Sequence, residues 1–120
     1  MTPIDLAQNL AQALDAKRAI DVRVLDLAGL RSFTDCFVIA SATSPRHAQT
    51  LADAVLEAAR ACGQRPLGVE GLSVARWVLI DLGDVIVHVF LEDAREFYGL
   101  ERLWGDAEAV ELRLAAGGAP

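Results

Sequence analysis

The stretch Trp77-Val78-Leu79-Ile80-Asp81-Leu82-Gly83-Asp84-Val85-Ile86-Val87-His88-Val89-Phe90 decides the fold. Two runs rich in branched aliphatic residues flank Gly83-Asp84, a two-residue turn signal, and the whole predicts a β-hairpin. With that turn, Leu82 opposes Val85, Ile80 opposes Val87 and Val78 opposes Val89, so one face is wholly aliphatic. The other face pairs Asp81 with Ile86, Leu79 with His88 and Trp77 with Phe90. A slip of one residue would mix the two sets, so burial of the aliphatic face selects this register. The hairpin therefore gives one side to a core and sets a tryptophan, a histidine and a carboxylate on the other. The apolar window from Val74 to Leu91 is long enough to cross a bilayer, but Arg76, Asp81, Asp84 and His88 interrupt it. Charges in those positions fit two strands and not a membrane span.

Outward from the hairpin, the flanking segments read as helices and strands in alternation. Thr2-Pro3 with Asp5 has the form of a helix start, and Ile4, Ala7, Leu10 and Leu14 follow at helical spacing, predicting a helix over 3–17. From Ile20 the period becomes two: Ile20, Val22 and Val24 alternate with Asp21, Arg23 and Leu25. Cys36-Phe37-Val38-Ile39-Ala40 is a continuous apolar run that suits a strand buried on both faces. Thr43-Ser44-Pro45 starts a second helix, carried by Ala48, Leu51, Val55, Ala59 and Cys62 and closed at Gly63. Gln64 to Ser73, with Pro66, Gly68 and Gly71, is predicted as a turn-rich connection. A third helix follows Leu91, with a break expected at Gly99. The order α-β-β-α-β-β-α gives a mixed sheet flanked by helices, an α/β or α+β layer pair.

The 120 residues suffice for one domain, expected over 1–106 with a flexible tail over 107–120. Seventeen acidic against eleven basic residues give a formal charge of −6, which disfavours broad binding to nucleic acid. A 53% apolar fraction and a mean hydropathy of +0.32 exclude a disordered chain. The N-terminus lacks the basic flank and apolar core of a signal peptide. Cys36 and Cys62 form neither a metal cluster nor a Cys-x-x-Cys pair and are expected as buried free thiols.

Several residues invite chemistry. Asp81, Asp84 and His88 lie within eight positions, but the turn explains Asp84, a strand end explains Asp81, and no second cluster completes a metal ligand set. Gly68-Val69-Glu70-Gly71 lacks the lysine of a phosphate loop and the strand-to-helix context of a dinucleotide fingerprint. His47, beside the helix start at Ser44, reads as a polar surface residue. Trp77 falls on the mixed hairpin face, where a tryptophan is better placed to anchor an interface than to fill a core; Trp104 reads as packing.

Thr34-Asp35-Cys36-Phe37-Val38-Ile39, Ser44-Pro45-Arg46-His47 and Pro66-Leu67-Gly68-Val69-Glu70-Gly71 stand in this order before the hairpin, and Arg95-Glu96-Phe97-Tyr98-Gly99-Leu100-Glu101-Arg102-Leu103-Trp104 follows it. Together with the hairpin these blocks closely resemble the ribosomal silencing factor, or Iojap, family from about Asp21 to Ala107. Ala42 and Leu82 depart from the family pattern, which often has glycine and an aromatic there. The resemblance implies a fold similar to nucleotidyltransferases without their catalytic pattern, and no enzymatic activity or cofactor. It implies a translational repressor of the bacterial cytoplasm. Such a repressor binds the large ribosomal subunit through its basic ribosomal protein fourteen and blocks subunit joining under nutrient limitation, with a homodimer as a further state of the free protein. On this reading Glu70, Trp77, Leu79, Asp81, His88, Phe90, Arg95 and Tyr98 are the partner-binding residues, and an acidic domain suits a basic partner. The alternative is a nucleotide-dependent enzyme of the same fold with Glu70, Asp81 and Asp84 as metal ligands.

Overall fold

Helix α1, Pro3–Ala16, begins on a reciprocal cap in the computed structural model of the chain. The Asp5 backbone N–H donates to Thr2 Oγ1 at 3.1 Å and the Thr2 N–H donates back to Asp5 Oδ2 at 3.1 Å. Helix α2, Pro45–Ala61, starts from Ser44, whose Oγ accepts from the His47 N–H at 3.1 Å. It ends where Gly63 enters the left-handed region at φ +76°, with Gln64 N–H on the Ala59 carbonyl and Gly63 N–H on that of Arg60. The structure describes residues 1–30, 34–103, 105, 107–110 and 112; for Phe97, Tyr98, Leu100 and Leu103 it describes the backbone only.

Among the described residues six strands form one sheet: β1 (Ile20–Asp26), β2 (Cys36–Ala42), β3 (Gly68–Glu70), β4 (Trp77–Asp81), β5 (Val85–Leu91) and β6 (Glu108–Val110), in the order β3-β4-β5-β2-β1-β6. Only β2 and β5 run parallel, Cys36 beside Val85 through Ala42 beside Leu91; the other pairs are antiparallel. The hairpin register is the one that its aliphatic pattern selects, with Val78 beside Val89 and Ile80 beside Val87. Its turn is tight: Gly83 at φ +86° lets the Asp84 N–H reach the Leu82 carbonyl at 3.2 Å.

Because side chains alternate across a strand, the sheet has two unequal faces. One lies under α1 and α2 and buries Val24, Val38, Val78, Ile80, Val85, Val87 and Val89 against Leu10, Leu14, Leu51 and Val55. The other carries a smaller cluster of Leu25, Leu27, Phe37, Ile39, Ile86 and Phe90, joined by Ala94 of helix α3 (Glu92–Tyr98). Gly99 at φ +60° then separates α3 from the short α4, Leu100–Leu103, which is the break expected there.

Three expectations need correction. Residues 68–70 form β3 within what reads as a turn-rich connection, because Val69 packs on the first face and the strand pairs antiparallel with β4. Glu108–Val110 form β6 against β1, a strand that the reading of 107–120 as a flexible tail did not include. Ile20 does not share a face with Val22 and Val24: an irregularity between Ile20 and Arg23, with Asp21 at φ +50°, places Ile20 beside Ser41 and leaves it partly exposed.

Candidate partner-binding face

The residues predicted to bind a partner whose side chains are described belong to the second face of the sheet or its margin, but at different depths. Rows across the sheet follow from the register. Glu70 neighbours Leu79, which neighbours His88, then Ile39. One row on, Trp77 neighbours Phe90, then Ser41. Glu70 is exposed, and Trp77, Leu79 and Asp81 are half-buried. These four form an accessible flank at the β3–β4 side. Exposed Leu67, Leu72 and Val74 border the same edge.

The inner members are not surface residues. Phe90 is 0% and His88 4% exposed, because α3 folds back over the end of β5 and the ring of Phe37 stands edge-on to His88 at 4.7 Å. The mixed hairpin face is thus a surface only at its outer strand, and direct contact through His88 or Phe90 is overturned by their burial. Trp77 bridges the two zones. Its ring lies over Phe90 with centroids 4.9 Å apart, and its Nε1 donates to His88 Nδ1 at 3.1 Å. Burial pushes the His88 pKa down from 6.5 to about 4, so the ring is neutral at neutral pH.

Arg95 is also spent internally. It is 9% exposed, donates through Nη1 to the Asp21 carbonyl at 2.7 Å and Ser41 Oγ at 3.0 Å, and clasps Glu101 through Nε at 2.7 Å and Nη2 at 3.1 Å. This guanidinium ties α3 and α4 to the irregular start of β1. It forms the floor of a cleft of about 440 Å³ whose walls include Asp21, Arg23, Glu96 and Arg102. The Tyr98 side chain and Trp104 lie outside the described residues.

The proposed metal ligands are not gathered. The Asp81 carboxylate accepts from the Gly83 N–H at 2.8 Å and so shapes the turn, while the Asp84 carbonyl accepts from the N–H groups of Asp35 and Cys36 at the start of β2. Among the described residues no group of three His, Cys, Asp or Glu side chains is placed to hold a metal ion, and no helix is long and apolar enough to cross a membrane. Cys36 is buried and Cys62 half-buried, both free. His47, read as a surface residue, is a link: its Nδ1 accepts from the Thr43 N–H at 3.0 Å, which leaves the proton on Nε2 to donate to the Lys17 carbonyl at 2.9 Å. Neither that link nor the Ser41–Arg95–Asp21 junction has a local sequence signal, since each joins segments distant in the chain.

A family model described as "Ribosomal silencing factor during starvation" matches residues 1–118. The chain is similar to the ribosomal silencing factor of Halalkalibacterium halodurans, with 43% identity over 112 residues, 93% of this chain and 96% of that protein. The counterpart from Bacillus subtilis is 44% identical over 102 residues, 85% of this chain and 86% of that protein. A chloroplastic Iojap protein from Zea mays is 36% identical over 91% of this chain, which spans 47% of that longer protein. Among solved structures, a Chromobacterium violaceum protein matches with a TM-score of 0.85 at 31% identity, covering 97% of this chain and 96% of that one. One from Bacillus halodurans matches with a TM-score of 0.80 at 41% identity, covering 91% and 99%.

Proposed function

This chain belongs to the ribosomal silencing factor family, and from that premise we propose that it represses translation by docking on the large ribosomal subunit, through its basic ribosomal protein fourteen, and blocking subunit joining. The observation that carries this reading is the family match over residues 1–118. What supports the docking surface is the accessible flank of Trp77, Leu79, Asp81 and Glu70. An aromatic set in an apolar patch and rimmed by carboxylates is the composition of an interface anchor facing a basic partner. The net charge of −6 favours encounter with a basic protein and keeps the domain off the surrounding RNA. No chemical step is involved: the repressor acts by occupying space, in the cytoplasm of a bacterium. A homodimer formed through the same flank would compete with the ribosome.

Cosedimentation of the purified chain with separated ribosomal subunits tests this. The protein is expected in the large-subunit fraction and not with small subunits, and Trp77→Ala is expected to weaken the association by about tenfold or more. Glu70→Lys, at an exposed position, reverses a rim charge and is expected to slow association most at low salt. Normal cosedimentation by both variants, with folding verified by circular dichroism, would exclude this flank as the docking surface.

A further inference from the structure

Trp77 is the outermost ring of an aromatic stack whose inner members are core residues. Beneath it lies Phe90, and His88 runs nearly parallel to Phe90 at an interplanar angle of 9° with centroids 6.1 Å apart. Phe37 closes the inner side edge-on. Within this stack a directed interaction holds the indole: Nε1–H of Trp77 to Nδ1 of His88 at 3.1 Å. Nδ1 accepts only while it is unprotonated, so the proton of the neutral ring sits on Nε2. That Nε2 is buried and has no hydrogen-bond partner among the described residues.

An unpaired buried donor is unfavourable, and phenylalanine or leucine at this position would fill the space without it. A histidine here is therefore costly to the isolated core, and the stabilising contact it makes in return is the bond from its other nitrogen to Trp77. Stacking alone leaves an aromatic free to slide and turn over its neighbour, whereas a hydrogen bond at the ring's edge selects one orientation. We propose that His88 is a positioning residue: it holds Trp77 in a single orientation on the exposed flank, so that the interface anchor is ordered before the ribosomal partner arrives. The functional part rests on the docking reading above. A preset anchor spares the ordering entropy of binding, which is how a residue that never touches the partner influences affinity.

The test uses the full chain and has two independent parts. In the ¹⁵N-labelled wild-type protein a through-hydrogen-bond nitrogen–nitrogen coupling is expected between Trp77 Nε1 and His88 Nδ1, with the indole resonance assigned by its loss in Trp77→Phe. Absence of that coupling overturns the proposal without any variant at position 88. His88→Phe keeps a buried ring and removes the acceptor. The Trp77 indole N–H is then expected to exchange with solvent about tenfold faster, and affinity for large subunits to fall about three- to tenfold, the worth of one hydrogen bond. His88→Asn, whose Oδ1 can take the place of Nδ1, is expected to recover part of both. The double variant His88→Phe/Trp77→Phe is expected to bind no more weakly than the weaker single variant, because both remove the same bond. A merely structural histidine gives additive losses and no recovery by asparagine, and either result overturns the proposal. If the wild-type chain itself does not bind large subunits, the docking reading falls, and the coupling and exchange measurements still decide whether His88 holds Trp77.

Discussion

His88 makes the stability of this domain dependent on pH through the cost of charging a buried ring. Unfolded, the imidazole takes up a proton near pH 6.5; folded, burial holds it off until about pH 4. Between those values the unfolded chain binds more protons, so stability is fully present above pH 6.5, declines as the pH falls, and has lost its whole His88 contribution below about pH 4. A shift of that size corresponds to about 3 kcal/mol, with a slope approaching about 1.4 kcal/mol per pH unit in the middle of the window. Set against a total of about 5–15 kcal/mol for a domain, this is a large share. The rings of Phe37, Phe90 and Trp77 surround the imidazole, and burial is the cause of the shift. Glu70 and Asp81 lie on the same sheet face, with Arg95 at its margin. The measurement is a set of urea unfolding curves at pH 7.5, 6.5, 5.5 and 4.5 for the wild-type chain and His88→Phe. Every other group is common to both proteins, so the difference between them isolates His88. The wild-type stability is expected to fall more steeply over this range; parallel curves would refute the assignment of a buried, neutral histidine.

Two further outcomes follow from the fold. Gly71, at φ +87°, leads out of β3 where an added Cβ would stand 2.0 Å from the Trp77 carbonyl oxygen, so Gly71→Ala is expected to lower stability by at least about 2 kcal/mol in urea unfolding, and an unchanged midpoint would contradict the close approach. Burial first, and then Asp26, Asp35 and Asp84, push the Cys36 thiol up to about 12, so iodoacetamide at pH 8 is expected to alkylate half-buried Cys62 and spare Cys36 in the native protein, with peptide mass spectrometry as the readout.

The parts of this architecture that local patterning controls were legible from the residues alone. The hairpin register follows from which side chains are aliphatic, and both long helices begin at Thr2 and Ser44 because hydroxyl, proline and apolar spacing agree there. What was not legible depends on segments meeting. Gly68-Val69-Glu70 has too few residues to show a period, and only its place beside β4 makes it a strand. The alternation in β4 and β5 separates two faces but says nothing of how far α3 folds back over one of them, so His88 and Phe90 read as surface while they are core. Arg95 looks like any charged helix residue until Ser41 and the Asp21 carbonyl arrive from 54 and 74 positions away. Of the candidate flank, Trp77, Leu79, Asp81 and Glu70 keep the accessibility expected of them; the burial of their neighbours turns a broad surface into a narrow one.

Both outer strands, β3 and β6, are three residues long, against five to seven for the strands between them. An edge strand offers the outward N–H and C=O groups of alternate residues only, so a foreign chain laid along either rim would gain very few backbone bonds, and Glu70 and Glu108 add charge at those rims. The valine- and isoleucine-rich strands that would template aggregation are thereby kept inside the sheet. The shortness of its own borders thus protects the domain from polymerising with itself.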